Sequence, residues 1–534
     1  MPMTRRGLLE GMAKLGGAGA VYETLAVWEF LQAPPALAAS FELPAASGTG
    51  KTVAILGAGV SGLCAAYELD RAGYDCVILE AQRRAGGRSL TLRRGDTFQE
   101  MNQPAQTVDF DEGLWLNAGP GRIPHSHVNV IDYCRRFGVA LQPFIFASRA
   151  NLVHSNTLGN GRTVPVREAF YSLQGHVAEL LDKCIDRGGL DLPVTGTDVE
   201  KLHDMLVQFG DLTKVDTPGK APSWSYQNQS GRAGIATPAG VATPIKPIGP
   251  MKLEEILRSR VWSDWILRDA DAYWQTSLME PVGGMDNFAK GFLRQPLARR
   301  AGTIDGLIRY GAKVTNIDVA SDKVTVAFED GGSARTIAAD YCVSTIPLPV
   351  FAKLKTNLPA PYLSAAANAQ TTAAGKVGWQ AERFWERDAN IYGGISWTTD
   401  TIDQIWYPSS GYLSPKGTLT GAYMRGRNAI EFNVKPVAER LRIAREQGER
   451  LHLGYERYVE RGVAIGWENM EFQLGGWVNE DAATFGDNSK VLAEPQGRFH
   501  MAGDQITFLS GWQEGAVLAA QYAVTGIDRQ ARAR

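Results

Sequence analysis

Thr52-Val53-Ala54-Ile55-Leu56-Gly57-Ala58-Gly59-Val60-Ser61-Gly62 is the stretch on which the reading of this chain turns. Its first five residues are β-branched or apolar without interruption, as a strand buried on both faces of a parallel sheet requires, and they stop at a glycine. The Gly57-x-Gly59-x-x-Gly62 spacing gives each glycine its own role. Gly57 permits the tight turn, Gly59 lets backbone amides approach a phosphate, and Gly62 allows the next helix to lie close to the sheet. Ser61 sits inside this loop, and a helix expected over 60–72 would aim its unpaired amides and positive dipole end at that phosphate. After Ala72-Gly73-Tyr74 a second strand, Asp75-Cys76-Val77-Ile78-Leu79, ends in Glu80, 18 residues beyond Gly62, where a carboxylate can accept hydrogen bonds from a ribose. A glycine-rich turn alone carries little weight. Strand, loop, helix, strand and terminal acid in this order point to a dinucleotide, and Glu80 would repel a 2′-phosphate, which argues against NADP.

The next residues are Ala81-Gln82-Arg83-Arg84-Ala85-Gly86-Gly87-Arg88-Ser89. Two glycines followed by a fixed cation could close on a pyrophosphate from the side opposite the helix, with Arg88 as donor. In isolation the same residues would read as a solvated basic turn. Placed directly after the ribose acid, they resemble the GGR motif of the flavin-containing amine oxidases, and from here the chain resembles that family and, within it, the L-amino acid oxidases.

The resemblance runs over most of residues 50–525 as separate motifs rather than as continuous identity. Asn117-Ala118-Gly119-Pro120-Gly121-Arg122-Ile123-Pro124 looks like the family's G-x-x-R-x-P segment, which implies that Arg122 clamps a substrate α-carboxylate. Glu280-Pro281-Val282-Gly283-Gly284-Met285-Asp286 resembles the turn leading back into the flavin domain. Ala374-Gly375-Lys376-Val377 matches the strand whose lysine holds a water near flavin N5. Gly421-Ala422-Tyr423 fits the strand offering a second carboxylate-binding group. Ala502-Gly503-Asp504 through Ser510-Gly511-Trp512 resembles the C-terminal flavin segment, in which Asp504 would bind the ribityl or phosphate region and a helix over about 511–522 would face flavin O2.

Several expectations follow from the resemblance. The cofactor is FAD, held by Gly57, Gly59, Ser61, Gly62, Glu80, Ala81, Arg88, Gly121, Arg122, Val314, Gly503, Asp504, Gly511 and Trp512. Substrate contacts fall to Arg122, Tyr423, Gly511, Trp512, Trp467 and Trp477, and the residues closest to the chemistry are Lys376, Arg122, Tyr423 and Trp512. A planar, always charged guanidinium suits two parallel hydrogen bonds to a carboxylate, and simple monoamines offer none, so Arg122 favours α-amino acids. The competing reading of Arg122 is a loop arginine paired with a nearby acid. For Tyr423, Trp467 and Trp477 it is core packing. An aromatic, largely uncharged pocket would favour bulky apolar or aromatic side chains.

The implied reaction is hydride transfer from Cα to flavin, imino-acid hydrolysis to a 2-oxo acid and ammonia, and reoxidation by O2 to H2O2. No histidine falls in these motifs as an evident general base. His125, His127 and His154 lie elsewhere. Alternatives within the fold are a decarboxylating amino acid 2-monooxygenase, a monoamine or polyamine oxidase and a carotenoid-type desaturase. An NAD-dependent dehydrogenase would be colourless.

The expected fold is α/β: a Rossmann-like FAD-binding domain of the GR2 flavoprotein type, from 50–91, 288–365 and 490–534, with a mixed-sheet substrate domain from 92–150 and 370–489. A mainly helical insertion over 155–275 would surround a Pro/Gly/Ser-rich loop at 216–250. With 534 residues there is room for two or three such units. A formal net charge of -2 gives no reason to expect nucleic acid as a partner. The five cysteines form no CxxC pair, so neither a metal site nor a disulfide framework is indicated. No stretch approaches the roughly 18–20 apolar residues of a spanning helix. Thr4-Arg5-Arg6-Gly7-Leu8-Leu9 and Ala36-Leu37-Ala38 resemble a twin-arginine export signal, interrupted by Glu10, Lys14, Glu23 and Glu29, so residues 1–49 read either as a leader to the periplasm or exterior or as a retained amphipathic helix. A homodimer is implied by the resemblance alone.

Overall fold

The computed structural model describes residues 41–189, 195–216, 218–219, 223–259, 261–480 and 483–533. The twin-arginine-like segment and Ala36-Leu37-Ala38 lie outside them. Thr52–Leu56 is the middle strand of a five-stranded sheet whose order is Ile308–Tyr310, Asp75–Glu80, Thr52–Leu56, Tyr341–Ser344, Phe499–Met501, with every neighbouring pair parallel. Val53, Ala54, Ile55 and Leu56 have no solvent exposure, which is why the strand shows no polar alternation. The helix Val60–Arg71 makes the first crossover and packs beside the long C-terminal helix Gln513–Arg532, which runs well past the expected end at 522.

A second, seven-stranded mixed sheet has the order Val164–Pro165, Leu152–His154, Gly394–Thr398, Gln404–Tyr407, Lys416–Arg425, Ala374–Glu382, Val459–Gly466. Two of its short strands, the edge strand at 164–165 and its neighbour at 152–154, come from beyond residue 150. Ala374–Glu382 is its best-buried long strand, paired antiparallel on both sides. Its register with Lys416–Arg425 puts Lys376 opposite Tyr423 and Val377 opposite Ala422, then passes to Gly378 opposite Thr420, leaving Gly421 as the extra residue of a bulge. A side chain at Gly421 would collide with Trp379 and the Tyr455 hydroxyl.

The region 155–275 carries the paired helices Val166–Asp186 and Gly196–Gly210 and the short Leu253–Ser259 and Val261–Asp264. The stretch read as a loop at 216–250 is more ordered than its composition implies. It contributes Ser223–Tyr226, paired with Leu212–Val215, and Ile235–Thr237, paired with Lys246–Pro247. Antiparallel pairing satisfies the backbone where proline and glycine leave no side-chain pattern to read. Among the described residues, no helix is long and apolar enough to cross a membrane.

Candidate functional site

The carboxyl ends of the parallel strands open on a cavity of about 750 Å³ that reaches from the glycine loop to the face of the mixed sheet. At the loop end, Gly57 has φ +101°, a conformation natural only to glycine, and a side chain at Gly62 would run into the Gly57 carbonyl. A Cβ on Gly59 would meet no protein atom, so that face belongs to the cavity. Ser61 is buried with a hydroxyl that has no hydrogen-bond partner. An orphaned donor at a helix N-terminus, beside glycine backbone and lining a cavity, suits a phosphate oxygen. Glu80 ends its strand on the cavity wall next to Ala81. Its two oxygens accept from the amides of Ala58 (2.7 Å) and Gln82 (2.8 Å), which ties strand end to loop, and burial raises its pKa. Val314, from the strand Ala312–Val319, lines the same end.

Arg88 and Asp504 were expected to take separate parts of a cofactor, and they are joined to each other. Arg88 Nη2 forms an ion pair with Asp504 Oδ1, while its Nη1 donates to the Gly476 carbonyl (2.7 Å). The other Asp504 oxygen accepts from the Gly511 amide (2.8 Å). Gly503 and Gly511 take φ +107° and +79°, so this turn relies on glycine at both places. Through it, the GGR segment is held to the N-terminus of the last helix, whose residues Trp512, Gln513 and Ala516 line the cavity.

At the opposite end Arg122 is buried in an aromatic cage. Its guanidinium carbon lies 3.8 Å from the Trp274 ring centre, 5.1 Å from Trp406, 5.4 Å from Trp512 and 5.5 Å from Phe146. No hydrogen bond or ion pair joins it to another described residue, and its Nε is a buried donor without an acceptor. Burial holds its pKa down to about 9, Tyr423 opposes the shift, and the cations Arg425 and Arg268 add to it. The reading of Arg122 as a loop arginine paired with an acid therefore fails. Gly121 makes the cage possible, because a Cβ there would stand 2.5 Å from the Trp406 ring.

Lys376 sits beside this cage, its Nζ donating to the carbonyls of Asn117 (2.8 Å) and Gly119 (2.7 Å) and lying 4.9 Å from the Trp406 ring centre and 5.3 Å from that of Tyr423. Burial, with Arg122 as the lesser cause, brings its pKa down to about 7. Tyr423 meets Trp406 edge-on at 4.9 Å. Trp467 lines the cavity while its indole N–H donates to the Ala118 carbonyl (3.0 Å), and Trp477 packs against Gly511, so both are at once packing residues and cavity wall.

All the residues singled out from the sequence except Gly62 therefore border one cavity; Gly62 shapes the loop from beneath. Trp274, Trp406 and Phe146, which form most of the cage, carry no motif and come from three separated segments. His127, which belongs to none of the motifs, is nevertheless brought beside the cage. Its ring meets Trp512 edge-on at 4.9 Å, and burial with the nearby Arg122 lowers its pKa to about 3, so it is neutral. Its place five residues after Arg122 was the available signal. Arg425, two residues beyond Tyr423 on the same strand face, also lines the cavity and could have been found by that alternation.

Comparison with known proteins agrees with this geometry. The flavin-dependent L-tryptophan oxidase RebO of Lentzea aerocolonigenes is 28% identical over 90% of this chain and 98% of its own length. An L-amino-acid oxidase of Siganus canaliculatus is 26% identical over 90% and 86%. Among solved structures, a putrescine oxidase bound to putrescine superimposes with a TM-score of 0.57 at 19% identity, covering 89% of this chain and 98% of that one. Cyclohexylamine oxidase from Brevibacterium oxydans does so with 0.57 at 17% identity, covering 90% and 99%. The family model described as flavin containing amine oxidoreductase matches residues 60–527, and the chain belongs to that family of flavoenzymes.

Proposed function

We propose that this chain is an FAD-dependent L-amino acid oxidase that converts amino acids with bulky apolar or aromatic side chains to 2-oxo acids, ammonia and H2O2. The observation that carries the reading is Arg122: a buried cation with no protein acceptor, facing the cavity that also holds Lys376 and the glycine loop. A buried charge costs several kcal/mol unless paired, so the site is built for an anion that arrives with the substrate. An α-carboxylate fits the guanidinium fork, with the Tyr423 hydroxyl as a second donor. The cage of Trp274, Trp406, Trp512 and Phe146 supplies apolar surface beside it, and the tryptophan oxidase among the relatives supports an aromatic side chain.

The residues present fit FAD: Gly57, Gly59 and Ser61 at the pyrophosphate, Glu80 at the adenosine ribose, and Trp467, Gly511 and Trp512 toward the ring system, in a Rossmann-like domain assembled from 50–91, 288–365 and 490–534. When bound, FAD supplies the acceptor for hydride from Cα and passes the electrons to O2. The chain's own contribution is positional and electrostatic: Arg122 and Tyr423 fix the carboxylate, the indoles exclude water, and a neutral Lys376 stands ready to take a proton near the amino group. The N-terminal 49 residues are proposed to direct export, which a mature terminus near Ala39 would demonstrate.

The test is the visible spectrum of the purified protein followed anaerobically. L-Phenylalanine should bleach the flavin bands, and admission of O2 should restore them with H2O2 and 2-oxo acid in equal amounts. Bleaching by phenethylamine as fast as by phenylalanine would remove the carboxylate clamp, and an amide product would make the enzyme a monooxygenase.

A further inference from the structure

A second cavity, of about 150 Å³, adjoins the first, and the two share a wall made by Gly121, Lys376 and Trp406. It runs to the protein surface at the exposed Gly113 and Gly411 and at Lys416, whose side chain is 37% exposed. A water needs on the order of 10–15 Å³ of such space and two to four polar partners, so this cavity has room for a chain of them. Alongside Trp115, Phe144 and Tyr407 its lining carries a run of hydroxyls, Ser409, Ser410, Ser414, Thr418 and Thr420, which the cage around Arg122 lacks.

One acid lines it. Glu280 is 3% exposed and lies opposite Gln142 across an antiparallel pair, accepting from Gln142 Nε2 at 2.9 Å. Burial raises its carboxyl to about 7. The charged groups around it are otherwise engaged: Arg383 donates to Glu386 (2.7 Å) and to the Ser410 carbonyl (3.0 Å), Lys416 pairs with Glu460 (2.6 Å), and Tyr412 stays protonated because its pKa is raised. Tyr407, also in the wall, donates to Ser396 Oγ (2.7 Å) and stays protonated because burial raises its pKa, which leaves Lys376 as the remaining titratable group among the described residues of the wall. A neutral Lys376 has two N–H bonds, and two carbonyls, of Asn117 and Gly119, already take hydrogen bonds from Nζ, which leaves the lone pair as its open position.

We propose that this side cavity is the proton exit of the active site, with Glu280 as the relay residue. The inference rests on the oxidase reading. An amino acid arrives as an ammonium and must lose one N–H proton before Cα can give up hydride. That N–H bond breaks as a new one forms at Lys376 Nζ. The lysine then returns to neutral by passing a proton through water in the side cavity to the Glu280 carboxylate, which releases it to solvent past Gly411. With substrate filling the first cavity, a separate hydroxyl-lined route lets the lysine recharge without passing the aromatic cage.

The test follows protons and flavin together. In weakly buffered solution with a pH-indicator dye, the wild-type holoenzyme mixed anaerobically with L-phenylalanine should release its proton in step with flavin bleaching. In Glu280→Ala, and in Thr420→Leu, which plugs the cavity without touching the acid, release should lag bleaching by about tenfold or more. Acetate should shorten the lag in Glu280→Ala and leave Thr420→Leu unchanged. Synchronous signals in both variants would overturn the relay. A second measurement needs no turnover: infrared difference spectra across neutral pH should show a protonated-carboxyl band that Glu280→Gln removes, and a Glu280 ionised throughout that range would also overturn it. Failure of every amino acid to bleach the wild type would sink the oxidase reading instead, with the infrared result still deciding the role of Glu280.

Discussion

The two ends of the large cavity are built in opposite ways. The end at Gly57–Gly62 is made of backbone: glycines, amides, a helix terminus and one acid, all within 29 consecutive residues from Thr52 to Glu80. The end at Arg122 is made of side chains: a cation, a lysine, a tyrosine and four aromatic rings contributed by residues 122, 146, 274, 376, 406, 423 and 512. A phosphate-binding turn needs one local geometry and little else. Holding an unpaired cation out of water requires a wall on every side, which no single segment can supply.

Mutation can test whether the two ends act independently. The largest effect is expected at the backbone end, where Gly62→Val drives a branched side chain into the Gly57 carbonyl. A stability loss of about 3 kcal/mol or more should accompany loss of the flavin, read as a lower melting temperature and a colourless preparation. Arg122→Ala should leave the flavin in place and raise KM for amino acids about a hundredfold, the loss of a buried charge-assisted pair worth about 3 kcal/mol. Steady-state kinetics beside the absorbance ratio would check this, and flavin loss in this variant would mean that the two ends are not separable.

Lys376→Met should lower kcat by about a hundredfold and change its pH dependence. With the proposed role of the neutral amine as proton acceptor, and burial bringing its pKa down to about 7, the wild-type rate should rise with pH through that value and level off above it. The variant should lack that limb. Trp274→Ala opens the cage over the guanidinium face and should weaken substrate binding about tenfold, in line with about 1–2 kcal/mol for a desolvated cation–π contact. The smallest effect is expected at the rim, where Glu471 lines the cavity mouth and pairs with Lys313 (2.9 Å) while both side chains are half-exposed. Glu471→Gln should change stability and KM by less than about 0.5 kcal/mol.

Legibility in the sequence follows the same division. The strand Thr52–Leu56, the helix from Val60 and the strand ending at Glu80 could be drawn almost to the residue, because an unbroken apolar run, a glycine spacing and a terminal acid each have one physical meaning. Arg122, Lys376 and Tyr423 were legible through family resemblance rather than through pattern. Trp274 and Trp406 were not legible, since a tryptophan in a strand or irregular segment looks the same whether it packs a core or covers a guanidinium. The Arg88–Asp504 pair joins residues 416 apart, and nothing local to either announces the other. The strands of 216–250 were hidden for a different reason: at two to four residues they are too short to show a period.

The extra residue at Gly421 has a consequence for how this site can change. Lys376 and Tyr423 face each other on one side of the bulge, and the tightly packed Trp379 and Leu419 pair on the other. A register error of one residue in a regular ladder would turn the side chain of the slipped strand, Lys376 or Tyr423, away from the cavity and part the two. An interruption in the ladder lets each half keep its own alignment, so mutations that rearrange the distal core need not be transmitted to the amine and the phenol. The strand pair can thus diversify at one end while its chemistry is inherited intact at the other.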